Sequence, residues 1–399
     1  MLTGDKTRFA GMLKGRKIVV ATSASISIYR VPDLVRDLRR EGADVKVAMS
    51  DASQKMVSPE VMKWASGHDV VTDITGNIEH ITLFDSDTLL LLAPATYDTI
   101  GKMASGIADN IPSLFFSYAL KATGHIVIVP AMHRNMMENR INLENIEKLK
   151  NLGCLIVEPE YDEEKAKIAD NDRIIDYVCR SFYGEKLKNK NILIIGGRSE
   201  LSIDPVRFIS NRSTGYTGYW LARMAFRLGA DQIVYVGNSN YRMPNYVNFI
   251  QRTNLREIII EVNTVINVYK FDIIVMCMAV LDFDIKEEKE KITSSEKHVI
   301  ELEPRNKLRN RIRQMSPSSI LVLFELEGDL KYNDEKFKDS RPDMVIVNSY
   351  KNSAFGESSQ EYIIVSGNNK ENINAEKSLL SRIILERASS INKSSDFIL

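Results

Sequence analysis

The run from His80 to Asn110, HITLFDSDTLLLLAPATYDTIGKMASGIADN, narrows the fold more than any other stretch of the chain. Thr88 to Leu92 is a continuous apolar run of strand length without polar alternation, so both of its faces need cover. That pattern predicts a parallel strand inside an α/β sheet. The run meets Ala93-Pro94-Ala95-Thr96, where Pro94 is expected to stop the strand because it has no N–H to give a ladder. In open α/β sheets ligands sit beyond the carboxyl ends of strands, and the small residues Ala93, Ala95 and Thr96 leave room for a flat ring to approach the backbone. The plain alternative is an ordinary βα turn.

The same grammar repeats along the chain. Strands are expected at Lys17 to Ala21, Val45 to Met49, Ile126 to Val129 and Leu155 to Val157, separated by helical periods. The first strand runs into a hydroxyl-rich turn, Thr22-Ser23-Ala24-Ser25-Ile26-Ser27, ahead of a helix. Small residues with free N–H groups there can hold a phosphate or simply cap the helix. A charged stretch at 185–191, EKLKNKN, reads as a linker between a domain over 1–184 and another over 192–399. The alternation then restarts, with strands at Ile192 to Ile195, Ile233 to Val236, Ile273 to Met276, Ile320 to Phe324, Met344 to Val347 and Tyr362 to Val365. A helix is expected near Tyr219 to Leu228 and another near Ala375 to Ala388. The fold class is α/β, with two doubly wound domains. Gly196-Gly197 ends a strand without completing a GxGxxG fingerprint.

With 53 basic and 53 acidic residues, the chain gives no electrostatic argument for nucleic acid or an anionic membrane, although local phosphate pockets stay open. Its three cysteines, Cys154, Cys179 and Cys277, lie in or beside apolar segments without CxxC spacing and read as core residues. No signal peptide is evident, and no apolar run approaches the ~20 residues needed to cross a bilayer. A cytoplasmic protein is expected.

Four blocks of the first half carry a resemblance: the Ser-rich turn at 22–29, His80-Ile81, APATYDTIGKMASGIADN and PAMHRNM. In order and spacing they resemble the flavin-dependent cysteine decarboxylase family that includes phosphopantothenoylcysteine decarboxylase. The resemblance implies a flavodoxin-like or Rossmann-like domain holding FMN through Ser25, Ser27, Ala93, Thr96 and Ser105. It implies His80 as the active-site base, with Met132, His133 and Asn110 toward substrate. Carbon dioxide cannot leave a cysteine carboxylate without an electron sink; flavin taking a hydride from the sulfur-bearing carbon, and returning it, would provide one. Imidazole suits proton transfer near neutral pH, although His80 could equally be a helix-end histidine.

The second half resembles phosphopantothenate–cysteine ligases through IDPVRFISNRSTGYTG, AVLDF, Lys291 in EKITSS and FGESSQEY at 355–362. Both halves in this order look like the bifunctional enzymes of coenzyme A biosynthesis. The implied partners are phosphopantothenate, cysteine, and CTP or ATP with Mg²⁺. The nucleotide joins the carboxylate oxygen to its phosphate as an acyl nucleotide, releasing pyrophosphate, and so turns a poor leaving group into a good one. Asn211 and Lys291 are the implied catalytic residues, Arg207 is placed toward substrate, and Gly196, Gly197, Asp282 and Phe324 toward nucleotide, with the metal near Asp282. Lys291 could otherwise be one solvated lysine of the charged run KEEKEK. The sequence departs from the bacterial pattern at His133, where asparagine is usual, and lacks a flap cysteine near 163–168, as archaeal-type members do. Tyr216-Thr217 stands where Lys-Met is common, and Gly197-Arg198-Ser199 where the family has GGT. The alternatives are a decarboxylase with an altered ligase domain, or a flavin-binding regulatory protein. The resemblance implies a homo-oligomer with trimeric decarboxylase and dimeric ligase contacts.

Overall fold

In the computed structural model, residues 10–162, 165–293, 295–351 and 359–392 are described. The chain divides into two compact units, over Phe9–Tyr183 and over Gly184–Leu399.

The first unit is a five-stranded parallel sheet of β1 (Lys17–Thr22), β2 (Asp44–Met49), β3 (Thr88–Ala95), β4 (Ile126–Pro130) and β5 (Leu155–Ile156). Their spatial order is β2-β1-β3-β4-β5, a flavodoxin-like arrangement whose switch point lies between β1 and β3. Around it run α1 (Val31–Arg40), α2 (Glu79–Thr82), α3 (Tyr97–Ser105), α4 (Ile111–Ala122), α5 (Arg140–Asn151) and α6 (Asn171–Tyr183). Every residue of β3 is buried, as its uninterrupted apolar run requires. On one face Leu90 and Leu92 pack with Phe115, Phe116, Ile146 and Leu149.

Pro94 does not stop β3. The strand continues to Ala95, which pairs with Pro130, after a shift of register between Leu92 and Ala95 at a cis Ala93–Pro94 peptide. The missing N–H is tolerated because the ladder is already interrupted there.

The second unit is an eight-stranded sheet: β6 (Asn191–Gly196), β7 (Gln232–Gly237), β8 (Asn248–Gln251), β9 (Ile273–Met276), β10 (Ile320–Glu327), β11 (Met344–Ser349), β12 (Ser359–Ser366) and β13 (Asn369–Glu376). The spatial order β8-β7-β6-β9-β10-β11 is the Rossmann order, and the antiparallel hairpin β12-β13 extends it past β11. The principal helices are α7 (Tyr216–Arg227), α8 (Leu255–Val268), α9 (Leu308–Met315) and α10 (Lys377–Ser390). One sheet face buries Leu193, Val234, Ile274 and Leu321 against Ile258 and Val262 of α8. On the other face α7 packs against α10. The segment expected as a linker folds onto this unit: Leu187 is buried and its N–H donates to Leu228 O at 2.7 Å, while Asn189 N–H donates to Asp231 Oδ1 at 3.2 Å. Among the described residues no helix is long and apolar enough to cross a membrane.

Candidate functional site

The carboxyl ends of β1, β2 and β3 open onto a cavity of about 820 Å³, a volume suited to a cofactor-sized molecule. Ser23 ties two of its walls together. Its Oγ donates to Pro94 O at 2.5 Å and accepts from Thr96 N–H at 3.2 Å, joining the hydroxyl-rich turn to the end of β3. Two helices aim their N-termini at the space. Thr96 caps α3, its Oγ1 accepting from Thr99 N–H, and Asn110 caps α4 in a reciprocal capping box with Ser113. Ser50, at the end of β2, caps the short helix that follows and also lines the cavity.

Of the residues expected around FMN and substrate, Ser25, Thr96, Asn110 and Met132 line this cavity. Ser27, Ala93, Ser105, His80 and His133 are not among its lining residues. Ser27 donates its N–H to Ser25 Oγ at 3.3 Å, and so shapes the turn. Ala93 is fully buried in β3, and Ser105 is exposed at the end of α3. His133 is exposed and caps the turn of helix at 134–137, Nδ1 accepting from Asn135 N–H at 3.3 Å. His80 lies on α2 with its ring edge-on to Tyr118 at 6.4 Å, and its enclosed Nδ1 has no hydrogen-bond partner among the described residues. An enclosed, unpaired imidazole nitrogen is costly, which marks it for a partner that binds. Sequence reasoning missed Ser23, Ser50 and Lys102; the first stands in the hydroxyl-rich turn, which was the available signal. Lys102 sits between Asp109 at 3.1 Å and Asp98 at 3.2 Å, and the hydrogen bonds it donates to these carboxylates raise its pKa, so it stays charged.

Hydroxyls, the dipoles of two helix N-termini and small residues suit an anionic, ring-bearing cofactor, so the cavity fits a flavin mononucleotide.

In the second unit the corresponding switch point lies between β6 and β9. Gly197, at φ +90°, passes so close to Asn238 that a Cβ would collide with its carbonyl oxygen, so glycine is required there. Gly197 O accepts from Ala279 N–H at 2.9 Å, and Ala279 O accepts from Ser199 N–H at 3.1 Å and from Asn211 Nδ2 at 2.8 Å. Asn211 is thereby drawn from its distant loop to the crevice. Gly196 backs onto Tyr235, whose hydroxyl donates to Asn238 O at 2.9 Å. Arg207 does not reach toward the crevice as a free cation. It donates Nε to buried Asp204 at 2.8 Å and a terminal nitrogen to Ile292 O at 2.6 Å. Ile292 N–H returns to Asp204 Oδ2 at 3.1 Å, so one carboxylate clamps the loop that carries Lys291. The Arg207 guanidinium holds the Asp204 carboxyl well below the usual carboxylate range. Lys291 and Asp282 are exposed, and Phe324 is half-buried on β10. Residues 355–358 of the FGESSQEY block, Ser294 of EKITSS and residues 163–164 lie outside the described residues. Among the described residues no group of three or more His, Cys, Asp or Glu could hold a metal ion.

Burial pushes the thiols of Cys154 and Cys277 up to about 12. Such thiols stay protonated at neutral pH and are not nucleophiles.

Comparison with known proteins adds independent observations. Residues 7–183 match the family described as Flavoprotein, and residues 187–391 match the DNA/pantothenate metabolism flavoprotein C-terminal domain. The coenzyme A biosynthesis bifunctional protein CoaBC of Thermococcus kodakarensis is 35% identical over 365 residues, 88% of this chain and 89% of that protein. The protein of the same name from Methanocaldococcus jannaschii is 32% identical over 406 residues, covering 99% of this chain and 98% of the relative. Among solved structures, the DNA/pantothenate metabolism flavoprotein from Streptococcus pneumoniae aligns with a TM-score of 0.44 at 19% identity, covering 50% of this chain and 97% of that one.

Proposed function

The chain belongs to the coenzyme A biosynthesis bifunctional family, with decarboxylase and ligase activities, and from that premise we propose how each unit of this member works. The second unit joins cysteine to phosphopantothenate through a nucleotide-activated carboxylate. The first removes the cysteine carboxyl group of the product, phosphopantothenoylcysteine, with FMN.

The observation that carries the decarboxylase reading is the cavity at the β1/β3 switch point, walled by Ser25 and Thr96 and faced by the N-termini of α3 and α4. Hydroxyls and N–H groups there bind the phosphate and ring edges. When bound, FMN supplies a reversible hydride acceptor, so that the electrons left by departing carbon dioxide have a destination. His80 offers its unpaired Nδ1 to a substrate proton, His133 donates to the substrate carboxylate, and Asn110 and Met132 border the substrate. Ser27 acts through the turn that carries Ser25, Ala93 through β3 and Ser105 through α3, which carry the contacting residues. No cysteine takes part in proton delivery; His80, Lys165, Lys167 or a water is the acid.

In the ligase, the Asp204 clamp presents Lys291 to the phosphates, and Asn211 donates to the acyl group from its seat on Ala279 O. Gly196, Gly197 and Phe324 border the nucleotide, CTP or ATP, and Asp282 stands toward Mg²⁺. The protein works as a homo-oligomer in this reading.

Incubation with phosphopantothenate, cysteine, Mg²⁺ and either CTP or ATP, followed by product mass, tests the whole proposal. Phosphopantetheine is the expected product. His80→Asn is expected to halt at phosphopantothenoylcysteine with flavin still bound, and Lys291→Gln to block its formation while decarboxylating it when supplied. Equal loss of both activities in either variant contradicts the division of labour.

A further inference from the structure

Among the described residues that line the flavin cavity, Lys102 is the one cation, set against the carboxylates of Asp51, Asp73, Asp98 and Asp109. Two of those carboxylates stand at the helix ends that face the cavity. Asp98 lies in the first turn of α3, and Asp109 immediately precedes Asn110, the cap of α4. Helix dipoles favour carboxylates at both places, so the positive helix ends that would draw in an anionic ligand already face the protein's own negative charge. Lys102 meets both groups: its ammonium is 3.1 Å from Asp109 and 3.2 Å from Asp98.

We propose that Lys102 sets the charge selectivity of this cavity: by neutralising Asp98 and Asp109 it lets a phosphate monoester enter a space whose carboxylates would otherwise repel it. This rests on the flavin reading above. In that reading the phosphate monoester has two sources, FMN itself and phosphopantothenoylcysteine. Lys102 acts through its charge, and no bond is made or broken at it.

Local structure fixes the three charges together. Asp98 stands four residues before Lys102 on α3, the order that suits an ion pair along one helix face. The helix then ends at Gly106, whose φ of 72° reverses the chain, and Ile107 N–H donates back to Lys102 O at 2.9 Å. That reversal returns Asp109 to the ammonium. The Lys102 side chain is 24% exposed against 69% for Asp98 and 54% for Asp109, so the cation is the most enclosed member of the three. Take it away, and only solvent stands between two carboxylates and an incoming phosphate.

The test is flavin titration of the full-length protein with FMN and with riboflavin, which lacks the phosphate. K102Q should bind FMN about 10-fold more weakly at low ionic strength, with riboflavin affinity within about twofold of the unaltered protein. The triple variant D98N/K102Q/D109N carries neither the cation nor the two carboxylates, and should regain FMN affinity; its recovery separates the charge effect from a folding defect in K102Q alone. If the phosphate concerned is the substrate's, flavin-saturated K102Q should instead show a KM for phosphopantothenoylcysteine raised about 10-fold, with that for pantothenoylcysteine unchanged, and the triple variant should restore it. Either pattern supports the assignment and names the source of the phosphate. Losses equal with and without the phosphate, losses that persist in the triple variant, or no change with any of the four ligands overturn it, leaving Lys102 as a brace of the turn between α3 and α4. Failure of the unaltered protein to bind either flavin would instead remove the flavin reading itself, and the proposal with it.

Discussion

Ser23 is 5% exposed, and its single hydroxyl bonds both Pro94 O and Thr96 N–H, so two loops from different strands depend on one oxygen. Ser23→Ala should cost about 1–3 kcal/mol in urea denaturation, because it leaves the Thr96 N–H without its acceptor, while Pro94 O keeps only the Ser23 backbone N–H at 3.2 Å. Flavin affinity, followed by absorbance titration, should fall with it, since Thr96 would no longer be held. A variant as stable as the parent with undiminished flavin affinity would show that the bridge is dispensable. Asp204 plays the matching part in the second unit. Because its folded pKa is depressed, its contribution is complete above the unfolded value of about 3.9 and is lost as pH falls below it. Asp204→Asn should therefore flatten the acid limb of the stability profile, and should impair ligation while supplied phosphopantothenoylcysteine is still decarboxylated. The sequence shows Asp204 and Arg207 as neighbours in a loop, but Ile292 is 85 residues from Arg207, and no local pattern announces their contact.

Apolar strands were legible because burial on both faces forces an unbroken run, as in β3 and β9. The hairpin strand β13, NKENINAE, was not, since most of its residues are exposed or half-buried and its sequence reads as a loop. The place of Pro94 within β3 also escaped sequence reading, because tolerance of proline depends on the partner strand's register. At α4 two roles of one residue can be separated. Asn110 Oδ1 accepts from Ser113 N–H at 3.1 Å, so Asn110→Ala should remove a cap and about 1 kcal/mol of stability. Asn110→Asp keeps an acceptor oxygen and suits the dipole, yet adds a negative charge to the cavity wall. Its stability should match or exceed the parent's, while its affinity for anionic FMN drops. If flavin affinity is unchanged in the aspartate variant, Asn110 serves the helix alone.

Across the whole chain, the two sheets were predictable as separate sets of alternating strands, and the division falls at 183/184, next to the expected end of the first domain; what was not legible is that 185–191 packs onto the second unit. Charge made 185–191 read as a solvated connector, with the apolar strand after it taken as the true beginning of the second domain. Leu187 breaks that pattern, yet a lone leucine among lysines gives no periodicity to read. Its burial emerges only because Leu228, at the end of α7, presents a carbonyl to its N–H. Fragments beginning at different points should therefore differ in stability. A fragment of residues 184–399 keeps the Leu187 side chain and this hydrogen bond, whereas one beginning at 192 loses both. Burying a leucine side chain contributes about 1.5–3 kcal/mol and the hydrogen bond about 1 kcal/mol, so the shorter fragment should unfold at distinctly lower urea concentration. A fragment of residues 1–183 should fold independently and bind flavin with the affinity of the full chain, because every described residue lining the cavity lies within it. Equal denaturation midpoints for the fragments starting at 184 and 192 would return 185–191 to the role of a connector.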